Sequence, residues 1–122
     1  MDVADRTVRF TVSLSIPADK ADAFERTALA MIEGTRKEPG ALQYDWYLSS
    51  DRTQCRLLEA YADGAAVAAH MTGPVVRELV PKLLQTATLT GFEVYGDPGP
   101  KGTELLAAVR AHLFKPWHAL KA

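Results

Sequence analysis

The sequence is poor in several residue types, and each shortage narrows what the protein can be. Among its 122 residues there is one cysteine, Cys55, which excludes an internal disulfide and a zinc site built from several cysteines. The 14 lysine and arginine residues nearly balance the 15 aspartate and glutamate residues. The resulting net charge of −1 gives no reason to expect a nucleic-acid or anionic-membrane partner. The chain also contains no asparagine.

The remaining composition is that of an ordinary globular protein, with 48% hydrophobic and 24% charged residues. The length suits a single domain. No apolar run approaches the roughly 18 residues that a membrane-spanning helix needs. The N-terminal stretch MDVADRTVRF lacks the basic region and apolar core of a secretory signal. We therefore expect a soluble, cytoplasmic protein.

Four segments of the sequence have the residue pattern of β-strands. The clearest covers residues 7–16, where apolar and polar side chains alternate at almost every position. The other three cover residues 41–49, 53–61 and 86–95. Because only a short polar turn separates the second segment from the third, these two should form an antiparallel hairpin.

Helical patterns lie between these strands. Asp19 can cap a helix that reaches about residue 37, in which apolar residues recur with a period of 3.6. Asp63 can cap a short helix over residues 63–71, because its carboxylate can accept from free backbone N–H groups. Pro81 should kink or divide the apolar helical segment that follows residue 74.

The segment order up to residue 97 is β-α-β-β-α-β, the ferredoxin-like arrangement of the α+β class. Residues 96–102, GDPGPKG, predict an irregular linker because they hold three glycines and two prolines. After this linker, Thr103 can cap a last helix whose apolar stripe extends to Leu113, followed by a terminal arm.

We therefore expect two parts in one chain. Residues 1–97 form the ferredoxin-like domain. Residues 98–122 form a linker, a helix and an arm, which pack on the same domain or on a partner subunit.

A four-stranded sheet with helices on one face leaves its other face uncovered. That face would carry polar residues of the first strand together with apolar residues of the second and third. We expect two copies to pair through these faces as a homodimer and to enclose a partly polar cavity. The residues expected there are Arg9, Thr11, Ser13, Leu57, Tyr61 and the aromatic row of the second strand.

Polar side chains interrupt the apolar pattern of the third strand and of the helix after it. His70 can act as a general base, because imidazole titrates near a pKa of about 6.5. Glu59 can orient the imidazole, or act as the base itself if burial raises its pKa. The aromatic side chains Tyr44, Trp46, Tyr61 or Tyr95 could clamp an aromatic substrate.

Structural roles for the same residues remain open. His70 lies near a helix end, where it could bond a free carbonyl and interact with the helix dipole. Glu59 could form an ion pair with Arg9 or Arg56 on a neighbouring strand. The aromatic residues could simply belong to the core.

Three stretches of the sequence carry a family resemblance: EPGALQYDWYLS, LLEAYAD leading into AAVAAH, and TLTGFEVYGD. Through them the chain resembles the antibiotic biosynthesis monooxygenase family, the small dimeric α+β-barrel proteins. The resemblance implies the dimeric ferredoxin-like fold. Members of this superfamily oxygenate quinols and polyketide phenols, degrade haem, isomerise small sugars, or have no known activity. The haem-degrading branch uses an Asn, a Trp and a His. This chain lacks asparagine and has Tyr61 in place of the Trp, so we do not expect haem degradation.

The resemblance implies oxygenation of a small phenol or quinol with no metal and no other cofactor. His70 and Glu59 would be catalytic. The substrate-binding residues would be Tyr61, Trp46, Tyr44, Arg9 and Leu57. Two alternatives stay open: an isomerase or lyase that acts on a small carbonyl compound, and a ligand-binding domain without catalytic activity.

Overall fold

The computed structural model describes residues 5–120 and has the ferredoxin-like α+β fold that the sequence predicts. The strands are β1 (Val8–Ser15), β2 (Ala41–Leu48), β3 (Gln54–Tyr61), β4 (Thr88–Tyr95) and β5 (His112–Phe114). The helices are α1 (Ala21–Arg36), α2 (Gly64–Thr72), α3 (Val80–Leu83) and α4 (Gly99–Ala108). None of the helices in the described part of the chain is both long and apolar enough to span a bilayer.

One five-stranded sheet organises the molecule, with the strand order β2-β3-β1-β4-β5. β1 lies between β3 and β4 and is antiparallel to both, and β2 is antiparallel to β3 as the predicted hairpin requires. β5 is parallel to β4 and extends the sheet at its edge.

The strand register decides which residues face the helices. Val8, Phe10 and Val12 of β1 are buried, and they pair with Tyr61, Glu59 and Leu57 of β3. Because paired residues of antiparallel strands lie on the same face, all six side chains point towards the helices. The expectation that Leu57, Tyr61 and the aromatic row of the second strand lie on the open face is therefore wrong, since Tyr44 and Trp46 pair with Glu59 and Leu57.

The alternate residues of each strand point to the open face of the sheet. They include Arg9, Thr11 and Ser13 of β1, which pair with Ala60, Leu58 and Arg56 of β3. Most of these side chains are polar or partly exposed.

Two of the three predicted helix caps are wrong. Asp63 caps α2 as expected, since its Oδ1 accepts from the backbone N–H of Ala66 at 2.9 Å. Asp19 instead lies inside a short 3₁₀ turn, Ala18–Lys20, and α1 begins after it.

The C-terminal part also differs from the prediction. α4 begins at Gly99, inside the predicted linker, and not at Thr103. Pro100 lies in its first turn, where the missing N–H has no helical partner to lose. Gly102 is buried against Val67 of α2, so its lack of a side chain permits close packing of the two helices. Leu113 belongs to β5 and not to a helix.

The segment between α2 and β4 is divided, as Pro81 predicted. It begins with a π-helical turn, Val75–Leu79, and continues as the short α3. Proline cannot supply the N–H that a continuous α-helix would need at that position.

Candidate functional site

Glu59 and Tyr61 are two residues apart on β3, so both point to the helix-covered face of the sheet. Both are buried, with exposed fractions of 5% and 0%. The hydroxyl of Tyr61 donates a hydrogen bond of 2.5 Å to Oε1 of Glu59. The phenol ring also packs against Phe10, with a centroid distance of 5.1 Å.

His70 reaches the same place from the last turn of α2. It is 3% exposed, and its Nε2 lies 3.6 Å from Oε1 of Glu59. Its ring centroid lies 4.9 Å from that of Tyr61 and 5.7 Å from that of Tyr44. The imidazole is therefore held between aromatic rings and faces a buried carboxyl group.

Glu38 is the residue of this cluster that sequence reasoning missed. Its Oε1 lies 2.8 Å from Nδ1 of His70. A glutamate followed by Pro-Gly predicted only the end of a helix. Nothing local in the sequence indicates that the loop folds back onto a helix 30 residues later.

The α1–β2 loop carries Glu38 to His70 because Gly40 allows a close approach. A Cβ atom on Gly40 would lie 2.4 Å from the Cβ atom of Ala66 in α2. The carbonyl of Gly40 also accepts from the N–H of Ala62, just before α2. Glu38 and His70 are thus brought together by packing between a loop and a helix.

The ion pair considered for Glu59 and the helix-carbonyl bond considered for His70 are both wrong, although His70 does lie in the last turn of α2. The two ring nitrogens of His70 face carboxyl groups and not helix carbonyls. Arg9 and Arg56 lie on the opposite face of the sheet from Glu59. Arg9 lies 4.0 Å from Asp5, and Arg56 donates to the carbonyl of Cys55 at 3.0 Å.

Burial sets the protonation states of the cluster. Loss of solvent raises the pKa of Glu59 to about 8, and the negative charge of Glu38 adds to this while the Tyr61 hydroxyl opposes it. Burial lowers the pKa of His70, although Glu38 acts in the opposite direction. Burial also raises the pKa of both Tyr44 and Tyr61. Burial therefore favours the protonated form of Glu59 and the uncharged form of His70.

A cavity of about 130 Å³ lies between the sheet and the helices and ends at this cluster. Its polar lining residues are Glu59, His70 and Tyr44, and no lysine or arginine is among the described residues that line it. The rest of the wall is apolar: Phe10, Val12, Leu14, Met31, Leu57, Met71, Val76, Val80, Leu83, Leu84, Leu89, Phe92 and Val109.

This cavity differs from the expected one in its position. It lies within one chain, on the helix-covered face, and is not enclosed by two open sheet faces. The predicted chamber between subunits is therefore wrong, because the catalytic candidates point away from the open face.

The structure brings together only some of the predicted site residues. His70, Glu59, Tyr44 and Leu57 line the cavity. Tyr61 lies behind them and contacts Glu59 and His70.

The other two predicted site residues lie away from the cavity. Trp46 packs on Phe24 with a centroid distance of 5.9 Å and lines a separate surface groove near Leu29. Arg9 is on the opposite face of the sheet, with 56% of its side chain exposed. Tyr95, considered as a further aromatic clamp, pairs with Arg9 and is on that face too.

Within residues 5–120, no three side chains of His, Cys, Asp or Glu are grouped so that they could hold a metal ion. The cluster instead places one imidazole between two carboxyl groups at the end of an apolar cavity. Such an arrangement suits proton transfer to or from a bound molecule.

Solved structures of similar fold share this architecture. MupZ from Pseudomonas fluorescens is 24% identical and superimposes with a TM-score of 0.82, covering 100% of this chain and 94% of its own. A candidate antibiotic biosynthesis monooxygenase from Nitrosomonas europaea is 24% identical with a TM-score of 0.67, over 84% of this chain and 100% of its own. Rv0793 from Mycobacterium tuberculosis is 24% identical with a TM-score of 0.64, over 75% and 94%.

These similarities below 25% identity establish the fold. Among curated proteins, none matches this chain. The family model for antibiotic biosynthesis monooxygenases matches residues 7–82, which is more than half of the chain and includes all three members of the carboxyl–imidazole cluster. The chain therefore belongs to the antibiotic biosynthesis monooxygenase family.

Proposed function

We propose that this protein oxygenates a small, uncharged phenol or quinol inside the apolar cavity, without a metal or flavin. One observation carries the proposal. An uncharged imidazole and a protonated carboxyl group share the end wall of a cavity that is otherwise apolar.

His70 is the base in this proposal. Its Nε2 takes the proton of the substrate hydroxyl, and the resulting oxyanion is far more easily oxidised than the phenol. Glu59 keeps its own proton at neutral pH, so it can donate a hydrogen bond to the oxyanion. Charge that develops in a cavity with little water is stabilised most by such pre-placed donors.

Molecular oxygen is the oxidant and the second substrate. The substrate anion passes an electron to oxygen, and the two radicals combine to form a C–O bond. The O–O bond then breaks, and the ring C–H proton is lost. For a simple phenol, the balance is phenol plus O₂ giving quinone plus water. One oxygen atom enters the ring and the other leaves in water.

The cavity supports an uncharged substrate of about one ring. A cavity of about 150 Å³ is known to bind benzene, and this one measures about 130 Å³. An anionic group would lose its hydration there, and no lysine or arginine among the described lining residues could pair with it. We therefore expect carboxylated or phosphorylated compounds to be excluded from the interior.

We also propose that the protein is a homodimer that pairs through the open face of the sheet. That face combines polar residues with Leu58 and Ala60, and the buried cavity lies on the other side. In this arrangement each subunit keeps a complete set of cavity residues.

Oxygen consumption with a panel of phenols and hydroquinones tests the proposed reaction. His70→Gln should lower the rate by about 10²- to 10⁴-fold, the usual contribution of a general base. Glu59→Gln should lower it less, because glutamine retains an uncharged hydrogen-bond donor. His118→Ala is the matched control, since His118 is exposed in the terminal segment.

Incorporation of ¹⁸O₂ into the product identifies the reaction as oxygenation. A larger loss in Glu59→Gln than in His70→Gln would make Glu59 the base. Turnover that continues without oxygen would contradict the proposal and favour an isomerase or lyase that uses the same imidazole.

A further inference from the structure

We propose that Glu38 is a positioning residue that fixes the proton of His70 on Nδ1 and leaves Nε2 as the basic atom that faces the substrate. Its catalytic consequence rests on the proposed function, but the tautomer itself does not. Neither the family match nor the residue pattern of the strands assigns a role to this glutamate.

The contacts of the imidazole indicate which of its two ring nitrogens carries the proton. Oε1 of Glu38 is 2.8 Å from Nδ1, which is hydrogen-bond distance, and a carboxylate can only accept. Nδ1 must therefore donate. Nε2 lies 3.6 Å from Oε1 of Glu59, which is too far for a hydrogen bond and leaves its lone pair available at the cavity wall.

The position of Glu38 is set by the backbone. Its N–H donates to the carbonyl of Thr35 at 2.9 Å, and Pro39 follows it directly. Gly40 then packs against Ala66 of α2, the same helix that carries His70. The carboxyl group and the imidazole are therefore held on segments that are packed against each other.

The second oxygen of Glu38 points to function more than to packing. Oε2 is buried and has no hydrogen-bond partner among the described residues. A dry carboxylate oxygen is unfavourable for folding, and glutamine would keep the contact with Nδ1 at lower cost. A full negative charge beside Nδ1 has a specific use, because it stabilises the imidazolium that forms when Nε2 takes a proton.

Four titratable side chains face the imidazole of His70. Glu38 approaches from the loop, Glu59 and Tyr61 from β3, and Tyr44 from β2. Of these, Glu38 alone lies within hydrogen-bond distance of a ring nitrogen in the described structure.

The direct test is the ¹⁵N NMR spectrum of the histidine side chains in the ligand-free protein at neutral pH. The wild type should show His70 with a protonated Nδ1 and an unprotonated Nε2. Glu38→Ala should give a mixture of tautomers, whereas Glu38→Asp should retain part of the Nδ1–H form. Glu33→Ala is the control, because Glu33 is an exposed glutamate of α1.

A wild-type spectrum dominated by the Nε2–H form would overturn the proposal, as would an unchanged tautomer in Glu38→Ala. Glu38→Gln extends the test, because its amide oxygen can still accept from Nδ1–H without supplying charge. It should preserve the tautomer and yet lower kcat by about 10- to 100-fold with little change in KM, which is part of what acid–base catalysis supplies. An unchanged kcat in Glu38→Gln would show that the negative charge of Glu38 does not contribute to catalysis.

The oxygenation assay and the NMR measurement test the two proposals independently. If no phenol or quinol is oxygenated, the proposed function fails while the NMR result still stands for this imidazole. If oxygenation occurs but the tautomer is wrong, the proposed function stands and Glu38 loses its role.

Discussion

At the scale of single residues, burial raises the pKa of Glu59 and lowers the pKa of His70. Both lose contact with water, and both therefore favour their uncharged forms at neutral pH. An acid becomes a proton donor and a base stays able to accept. The proposed proton transfer would therefore start from the protonation states that burial favours.

Stability should report the state of Glu59. Its pKa rises from an ordinary value near 4.5 to about 8 on folding, so the folded protein holds an extra proton between these two values. Stability that depends on this proton is complete below the unfolded pKa and is lost as pH rises through the folded pKa. The pKa of His70 is lowered, so it matters only below its unfolded value of about 6.5.

Between pH 6.5 and 8, the pH dependence of stability should therefore come from Glu59 rather than from His70. The free energy of unfolding should fall by up to about 1.4 kcal/mol per pH unit in that interval. Urea denaturation of Glu59→Gln at the same pH values should show a flatter dependence. A slope that is the same in wild type and variant would mean that Glu59 is ionised throughout.

Sequence reasoning identified Glu59, His70 and Tyr61 because each is a polar residue where strand or helix periodicity expects an apolar one. It could not identify Glu38, whose contact with His70 depends on a loop packing against α2. It also placed Trp46 and Arg9 in the site. Their side chains suit substrate binding, but the strand register places Arg9 on the other face of the sheet, and Trp46 lines a neighbouring groove.

At the scale of elements, α1 packs closely against the π-helical turn Val75–Leu79. Gly34 of α1 faces Val75, which is buried. A Cβ atom on Gly34 would lie 2.4 Å from Cγ2 of Val75, well inside contact distance. The glycine is therefore needed for the approach of the two segments, even though glycine is a poor helix former.

Gly34→Ala should destabilise the protein by about 1–3 kcal/mol, because overpacking outweighs the gain of about 1 kcal/mol in helix propensity. The same substitution in a Val75→Ala background should be neutral or stabilising, since the clashing methyl is gone. Chemical denaturation of the four proteins gives the coupling energy. Equal destabilisation in both backgrounds would show that Val75 is not the obstacle.

Most strands and helices could be predicted from periodicity, because β1 alternates cleanly and α1 has an apolar stripe. β5 and the start of α4 could not. β5 has three residues, too few for a pattern, and it forms only because β4 offers an unpaired edge. Proline and glycine in GDPGPKG predicted a loop, yet both are compatible with the first turn of a helix packed on α2.

At the scale of the whole molecule, alternation shows which residues share a face but not which face the helices cover. The sequence therefore predicted the β-α-β-β-α-β order correctly and the location of the cavity wrongly. The observed location separates two tasks. The helix-covered face holds the cavity, and the open face is the one through which we propose that two copies associate.

Leu58→Lys tests the proposed association. Leu58 lies on the open face beside Thr11 and Asp45, so a lysine there can contact Asp45 in the monomer but would be buried in a dimer. Sedimentation should show the wild type at twice the 13.3 kDa chain mass and the variant shifted to the monomer. Ala30→Lys on exposed α1 is the control. A monomeric wild type would contradict the proposed dimer.

The most direct measurement for the account as a whole is the ionisation of a bound phenol. 4-Nitrophenol absorbs differently as phenol and as phenolate, and it can be added at a pH where the free compound is mostly protonated. The account predicts that binding to the wild type produces the phenolate band, that His118→Ala retains it and that His70→Gln loses it. Binding without ionisation, or equal ionisation in His70→Gln, would contradict the central claim that His70 removes a proton from a ligand in this cavity.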